Sequence, residues 1–347
     1  MSRDLLRALQ DSHAFNTTPP ESDLAALHVP FDVLTATPGY ELALSDAMRR
    51  GERIALIGPS GSGKSSVTAH VLDRWVPQVA PIRIRVGMES AEVATDPVEF
   101  TRHLVRTVAR YIEQHDPARA ETRRASTAVS TAYGVAEDKA PKKFSIAPRV
   151  GWLGVELAAE LRAVAHEVPP SGQDVLDQAQ LILQVIADRR LTPALILDDT
   201  DHWLHQAGLP PTESVRAGFF GRVVRLIAEQ LPLATTVIAV HDSYTRDPAY
   251  LAALQFLEAT VELPAIPAPF GFGLILHHRA EQAIGTRLAV EEILEAAALD
   301  RLFENYAATD RSLRSRLLQV AHGALAHACD LGAERIGPAH VEQAIAE

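Results

Sequence analysis

The residues whose chemistry is clearest lie in one short glycine-rich stretch, which we call the phosphate loop (residues 58–65). It reads Gly58-Pro59-Ser60-Gly61-Ser62-Gly63-Lys64-Ser65 and matches the pattern G-x-x-x-x-G-K-[ST] without interruption. Glycines let backbone N–H groups turn towards phosphates without a Cβ atom in the way, and the start of a following helix adds partial positive charge. We expect Lys64 to reach the β- and γ-phosphates of a nucleotide, Ser65 to bind Mg²⁺ and Ser66 to extend the phosphate-binding segment.

Two adjacent acids, Asp198 and Asp199, supply the metal-binding chemistry that such a loop requires. They follow residues 194–197, a short apolar run typical of a buried strand. In nucleotide-hydrolysing enzymes with this loop, an acid at the end of a neighbouring strand holds the metal. Asp198 is therefore expected to bind Mg²⁺ through water, and Asp199 to orient or deprotonate an attacking water. The alternative is that both acids only cap a helix.

The nucleotide base is predicted from motifs that the sequence lacks. Proteins that read guanine beside such a loop usually carry an N-K-x-D motif. The two asparagines of this chain, Asn16 and Asn305, both stand in other contexts. ATP is therefore favoured over GTP. The sequence also lacks an LSGGQ-type signature, which argues against a transporter-type ATPase.

The elements that must position these residues alternate between strands and helices. Apolar runs predict strands over residues 53–57, 82–86, 194–197, 236–240 and 261–263, and helices over 41–50, 65–75, 97–114, 173–189, 214–230 and 248–258. This alternation predicts an α/β fold with a parallel sheet sandwiched by helices. Residues 274–347 read as three or four further helices. We predict a leader that begins the nucleotide pocket (1–50), a nucleotide-binding core (51–269) and a small all-α lid domain (270–347).

An irregular segment, residues 116–170, interrupts the predicted core. Its first part, residues 116–150, carries seven Lys or Arg against four acids, a net charge of +3, and shows no sustained period. This part is either an insertion that binds nucleic acid or a partner, or a solvated loop. Residues 144–157 are a candidate hairpin.

Composition excludes several classes of protein. The 347-residue chain has a formal net charge of −11, which argues against affinity for nucleic acid over the whole surface. Its single cysteine, Cys329, rules out an internal disulfide and fits a reducing cytoplasm. Residues 1–10 are unlike a secretory signal, and no apolar run reaches the roughly 18–20 residues needed to span a bilayer. We expect a cytoplasmic protein without a membrane partner.

The order of strand, phosphate loop, Asp-Asp strand, further strand and helical tail resembles that of AAA+ P-loop ATPases and their STAND-like relatives. Initiator-type and transposition-regulator ATPases are the most similar, and the resemblance covers about residues 30–115 and 171–347. It implies that the phosphate loop is the Walker A motif and that the two acids are the Walker B motif. It also implies a γ-phosphate sensor after the fourth strand, at His241 or Asp242, and a second sensor arginine on a lid helix, which Arg314 matches.

The sequence departs from the family pattern in ways that bear on activity. Asp199 stands where active members usually have Glu, and its shorter carboxylate implies slow hydrolysis or a switch-like role. No arginine finger is evident before the fifth strand, so Arg246 is a weak substitute. Arg311 and Arg316 compete with Arg314 for the role of lid sensor. The chain between the two Walker motifs is longer than the family core needs, and the excess coincides with the irregular segment.

The resemblance implies Mg-ATP binding and slow or partner-stimulated hydrolysis to ADP and phosphate by a nucleotide-dependent switch or assembly factor. It further implies a nucleotide-dependent homo-oligomer and a protein partner, with a mobile-element or defence system as a hypothesis. No segment follows the predicted lid to form the winged-helix domain of replication initiators, so a nucleic-acid reader is expected from another polypeptide. Two alternatives stay open: an ATP-gated DNA-binding ATPase that uses residues 116–150, and a small-molecule P-loop kinase.

Overall fold

The computed structural model describes residues 2–35, 39–75, 78–115, 172–204, 212–308 and 314–347. The irregular segment, with its basic stretch and its candidate hairpin, lies outside the described residues, as does Arg311. The chain forms two compact units. The first unit comprises Met1–Ala43, Gly58–Val71 and Glu262–Glu347, and the second comprises Leu44–Ile57 and Leu72–Val261.

A five-stranded sheet forms the centre of the second unit. Its strands are β1 (Arg53–Ile57), β2 (Val79–Ile84), β3 (Thr192–Leu197), β4 (Thr235–Val240) and β5 (Ala259–Glu262). Their order is β2-β3-β4-β1-β5, and the pairs β2–β3, β3–β4 and β4–β1 are parallel, which confirms the predicted parallel sheet. Because parallel strands all end at the same edge, the residues that follow β3 and β4 lie along one edge of the sheet.

Strand β2 differs most from its predicted bounds of 82–86. It begins at Val79, ends at Ile84 and contains Pro81. Proline cannot donate to a sheet hydrogen bond, but β2 is an edge strand, where one missing donor is tolerated. The prediction began too late because proline normally marks the end of a strand rather than its interior.

Helices make up most of the remaining structure. Those in the first half of the chain are α1 (Ser2–Asp11), α2 (Phe31–Thr35), α3 (Tyr40–Arg49), α4 (Lys64–Trp75), α5 (Ala91–Thr95), α6 (Pro97–His115) and α7 (Gly172–Asp188). Those after β3 are α8 (Thr212–Gly218), α9 (Val224–Gln230), α10 (Pro248–Ala253), α11 (Pro269–Ile284), α12 (Val290–Ile293), α13 (Ala296–Ala308), α14 (Arg314–Asp330) and α15 (Pro338–Ala346). No helix in the described ranges is long and apolar enough to cross a membrane.

A single π-helical turn, Phe219–Val223, interrupts the helix predicted over 214–230. In this wider turn Phe219 and Phe220 are consecutive and both fully buried. Phe220 packs edge-on against Tyr244, with ring centroids 6.2 Å apart, and against Tyr250, with centroids 5.4 Å apart. The turn thus brings two neighbouring aromatic rings into the core of the second unit, where aromatic burial dominates the packing energy.

The N-terminal residues are part of the core of the first unit. The predicted leader contains α1, whose Leu6 and Leu9 are fully buried in the same apolar cluster as Leu325 of α14 and Phe272 of α11. Burial of two leucine side chains contributes roughly 3–5 kcal/mol before entropy is subtracted. The polar composition of residues 1–10 concealed this helix, because only one narrow face of it is apolar.

Candidate nucleotide-binding site

The phosphate loop folds around the side chain of its own lysine. Strand β1 ends at Ile57, and α4 begins at Lys64, in agreement with the predicted strand–loop–helix order. Lys64 is buried, and its Nζ donates hydrogen bonds to the carbonyl oxygens of Gly58, at 2.8 Å, and Pro59, at 2.9 Å. These bonds fix the ammonium group inside the loop, so its charge is held where a phosphate group would be cradled by the backbone.

Two glycines of the loop are required by backbone geometry and by a close neighbour. Gly61 has a φ of +71° and Gly63 a φ of +102°, both in the left-handed region that favours glycine. A Cβ atom on Gly61 would lie 2.2 Å from Oγ of Ser315, and one on Gly63 would lie 3.2 Å from Nη1 of Arg314. The beginning of α14 therefore rests directly on the phosphate loop.

Arg314 brings a second cation to this loop. Its guanidinium lies over the ring of Phe31, 4.0 Å from the centroid. Burial lowers the pKa of Arg314 to about 10, so the group remains charged at neutral pH. Its Nη2 atom is buried and has no hydrogen-bond partner among the described residues. The predicted lid arginine thus lies at the phosphate loop, while its competitor Arg316 bonds to Gln319 on the surface of α14.

A buried histidine–glutamate pair from the N-terminal segment adjoins the same loop. Nε2 of His28 lies 2.9 Å from Oε1 of Glu41, and both side chains are buried. The other ring nitrogen of His28, Nδ1, lies 3.3 Å from Oγ of Ser66, which also donates to the carbonyl oxygen of Leu24. The same oxygen of Glu41 accepts a hydrogen bond from the backbone N–H of Phe31 at 2.7 Å. No motif pointed to His28, Phe31 or Glu41, since the leader has no pattern that separates buried from exposed polar residues.

The two adjacent acids that were predicted to form a Walker B motif, Asp198 and Asp199, lie in the second unit, directly after β3. Asp198 is buried, and its Oδ1 accepts a hydrogen bond from the backbone N–H of Asp199 at 2.9 Å. The next residue, Thr200, donates from its hydroxyl to the carbonyl oxygen of Ala239 in β4, while its own carbonyl accepts from the Tyr244 hydroxyl at 3.0 Å. These bonds tie the acid pair to the end of the neighbouring strand.

Asp199 has an unusual backbone and an arginine partner. Its φ of 63° lies in the left-handed region, which is uncommon for a residue other than glycine. Its carboxylate forms an ion pair with the side chain of Arg85, which follows β2. Gly87 makes this arrangement possible, because a Cβ atom there would lie 1.8 Å from the carbonyl oxygen of Asp199. Sequence reasoning missed both Arg85 and Gly87, whose distance from Asp199 along the chain hides their contact with it.

The predicted γ-phosphate sensor, His241, follows β4 and is buried. Its Nδ1 accepts a hydrogen bond from the backbone N–H of Ser243 at 3.1 Å and so caps the short helix Asp242–Arg246. The alternative sensor, Asp242, also accepts from that N–H, at 2.8 Å, with its side chain half-exposed. Arg246 is exposed at the end of the same turn. The geometry gives His241 a capping contact and leaves the sensor role a prediction.

The predicted site residues fall into two sets. The phosphate loop, Ser66 and Arg314 belong to the first unit, whereas Asp198, Asp199 and His241 belong to the second. Within the first unit the structure brings together two cations and a glycine loop. Within the second it brings together two carboxylates and an arginine. Across the described ranges, no group of three or more His, Cys, Asp or Glu residues is arranged to hold a metal ion.

No protein-family model and no curated protein matches this sequence. Similar solved structures include the ORC1 protein of Aeropyrum pernix in complex with DNA, with 16% identity and a TM-score of 0.49 over 92% of this chain and 65% of that chain. Another is the ORC2 protein of Aeropyrum pernix in ADPNP–ADP complexes, with 14% identity and a TM-score of 0.47 over 88% of this chain and 66% of that chain. A third is CDC6P from Pyrobaculum aerophilum, with 15% identity and a TM-score of 0.49 over 96% of this chain and 70% of that chain.

This chain therefore spans about two thirds of the length of the first two of these proteins. With TM-scores below 0.5, the likenesses carry no information about activity, partners or site residues. The kind of protein predicted from the motifs, an AAA+ P-loop ATPase of the initiator type, is the kind to which these similar structures belong.

Proposed function

We propose that this protein binds Mg-ATP at the phosphate loop and hydrolyses it slowly, as a nucleotide-dependent switch. The observation that carries the proposal is the meeting of two cations at one glycine loop. Lys64 is enclosed by the loop, and Arg314 lies against Gly63 with a buried nitrogen that has no hydrogen-bond partner in the described structure. A buried cation is costly without an anion beside it. A polyphosphate at this loop would supply that anion.

The proposal assigns the nucleotide and its metal to side chains of suitable chemistry. Lys64 and Arg314 would bind phosphate oxygens, and the Ser65 hydroxyl and Asp198 are the residues that would hold Mg²⁺. When bound, Mg²⁺ neutralises charge that develops on the phosphates. Asp199 would orient the attacking water or accept its proton. Both the short aspartate side chain and its ion pair with Arg85 reduce the freedom of this carboxylate, which supports slow hydrolysis.

The switch part of the proposal rests on α14. Arg314 and Ser315 begin this helix and contact Gly63 and Gly61 of the phosphate loop. The same helix packs through Leu325 in the apolar core of the first unit. An anion that binds Arg314 at the loop would therefore act on a helix that is also packed into this core. We propose that the response of this helix to a bound nucleotide controls a nucleotide-dependent homo-oligomer and the binding of a protein partner, with a mobile-element or defence system as the setting.

The test is a nucleotide titration followed by phosphate release. Wild type and Lys64→Ala are titrated with a fluorescent ATP analogue, and we expect the variant to lose at least about a hundredfold in affinity. Arg74→Ala is the matched control, because Arg74 is an exposed cation on the same helix α4. Equal affinity of wild type and Lys64→Ala would contradict the proposed binding site. Phosphate release that rises per subunit with protein concentration would support the oligomer, and a constant rate would count against it.

A further inference from the structure

We propose that Phe31 is a positioning residue that holds the Arg314 guanidinium at the phosphate loop. This inference rests on the proposed ATP binding and names a residue outside every motif of the sequence. The N-terminal segment, through this one ring, would then set how well the lid arginine meets the nucleotide.

The ring of Phe31 is placed where it can act on the arginine. Phe31 is fully buried, and the carbon at the centre of the Arg314 guanidinium lies 4.0 Å from the centroid of its ring. The negative face of an aromatic ring attracts such a cation, most strongly where water is excluded. The guanidinium also lies against Gly63, so it contacts both the ring and the phosphate loop.

Phe31 itself is anchored by a carboxylate. Its backbone N–H donates a hydrogen bond to Oε1 of Glu41 at 2.7 Å. The same oxygen also forms a hydrogen bond with Nε2 of His28 at 2.9 Å. His28 in turn approaches Oγ of Ser66, the residue that follows the phosphate loop. The Tyr40 ring also packs against Phe31, with the two ring centroids 5.8 Å apart. The position of the ring is thus determined by contacts that end at the nucleotide site.

The ring provides what Arg314 lacks. The Glu41 carboxylate attracts the charge of Arg314, but no described residue forms a salt bridge with Arg314, and its Nη2 atom has no hydrogen-bond partner there. Without the ring face, the guanidinium could turn towards water. ATP binding would then have to return it to the phosphate loop, at a cost in free energy. Loss of a desolvated cation–π contact is therefore expected to weaken ATP binding by about 5- to 30-fold.

A double-mutant cycle tests whether Phe31 acts through Arg314. ATP affinity is measured for wild type, Phe31→Leu, Arg314→Ala and the double variant, with thermal unfolding as the check on folding. We expect Phe31→Leu to weaken binding about 5- to 30-fold in the wild-type background and less than about 2-fold when Arg314 is already alanine. Phe31→Trp keeps a ring face and should restore most of the affinity. Phe303→Leu is the matched control, since Phe303 is an aromatic residue of the first unit whose ring packs against Phe272.

The outcomes separate this inference from the proposed function. Equal losses from Phe31→Leu in both backgrounds would show that Phe31 acts on the fold or on the ligand directly, which would overturn the positioning role. An unchanged affinity of folded Phe31→Leu would overturn it as well, with ATP binding intact. If Phe31→Leu unfolds, Phe31→Met fills a similar volume without a ring face and takes its place in the cycle. Unchanged ATP binding by Lys64→Ala would instead remove the proposed function.

Discussion

Each unit of this protein has an arginine beside residues that were predicted to act on a nucleotide. The two arginines differ in their partners. In the first unit Arg314 lies at the phosphate loop, partly buried, with no acid in a salt bridge to it among the described residues. In the second unit Arg85 forms an ion pair with Asp199, the residue expected to activate water. Arg314 is attracted by the charge of Glu41 without forming a salt bridge among the described residues, whereas Asp199 is already paired with Arg85. If the proposed function holds, we expect this difference to favour tight nucleotide binding and slow hydrolysis.

The magnitudes show which of the two states is easier to change. The Arg85 side chain is 43% exposed and that of Asp199 is 22% exposed, so their pair is close to a surface salt bridge, worth about 0–1 kcal/mol. Arg314 lies in a drier place, where electrostatic interactions are several times stronger. A partner that binds Arg85 could therefore free the Asp199 carboxylate at a small cost in free energy. The charge of Arg314 at the phosphate loop would not change. We therefore expect that a small change at Arg85 would be enough to stimulate the proposed hydrolysis.

The largest expected effect separates hydrolysis from binding. Asp199→Asn removes the charge that would orient or deprotonate water, so we expect phosphate release to fall about a hundredfold. Affinity for ATP should change less than about threefold, because the cations of the first unit are untouched. Phosphate release at saturating ATP and a nucleotide titration measure the two effects. Asp73→Asn, at an exposed acid of α4, is the control, and an equal loss of affinity would place Asp199 in the binding step instead.

The second test concerns Glu41, the buried acid that binds His28 and the Phe31 backbone in the first unit. Burial alone would raise the pKa of Glu41, but hydrogen bonds from His28 and from the Phe31 backbone outweigh it and bring that pKa from 4.5 to about 2. A pKa lowered by folding stabilises the folded state above the unfolded value, and the stability is lost as pH falls from 4.5 towards 2. We expect a loss of about 2–3 kcal/mol in the free energy of unfolding.

Urea unfolding of wild type and Glu41→Gln between neutral and acid pH measures this loss. The glutamine variant should be less stable near neutral pH and should lose less stability in acid. Glu213→Gln, at an exposed acid of the second unit, should keep the wild-type pH dependence. If Glu41→Gln shows the same acid loss as wild type, then other carboxylates account for it.

The third test changes the second unit where Gly87 approaches the backbone of Asp199. Gly87→Ala places a Cβ atom 1.8 Å from the carbonyl oxygen of Asp199, so the segment must move. We expect a loss of about 1–3 kcal/mol in the free energy of unfolding and a fall in phosphate release, with the Lys64-dependent affinity retained. Gly221→Ala is the matched control, since a Cβ atom there meets nothing within 4 Å. Equal stability of the two variants would show that the loop after β2 yields freely.

The smallest expected effect is on the rate of phosphate release, and it comes from removing the Arg85–Asp199 ion pair. Arg85→Gln releases the Asp199 carboxylate from its ion pair, and we expect phosphate release to rise about 3- to 10-fold. Arg85→Lys keeps a positive charge and should stay close to the wild-type rate. A fall in rate for Arg85→Gln would show that Arg85 holds Asp199 in its productive position rather than restraining it.

Much of this architecture could be predicted without coordinates. The phosphate loop was recognised from glycines and a lysine that are adjacent in the chain, and strands β1, β3 and β4 from unbroken apolar runs. Arg314 was predicted because the resemblance to AAA+ ATPases implies a sensor arginine at the start of a lid helix, and Arg314 stands at such a position. Each of these signals is local, since the residues that produce it lie within one turn, one strand or one helix.

Local order in the sequence determined which chemistry this protein carries: a glycine loop with a lysine, a pair of acids after a strand, and an arginine at the start of a helix. The burial of those groups and the side chains that contact them became known from the tertiary structure. Phe31 meets Arg314, and Arg85 meets Asp199, across more than a hundred residues of chain. Burial, ring contacts and ion pairs depend on distance in space. A local sequence pattern cannot predict them between residues that only the fold brings together.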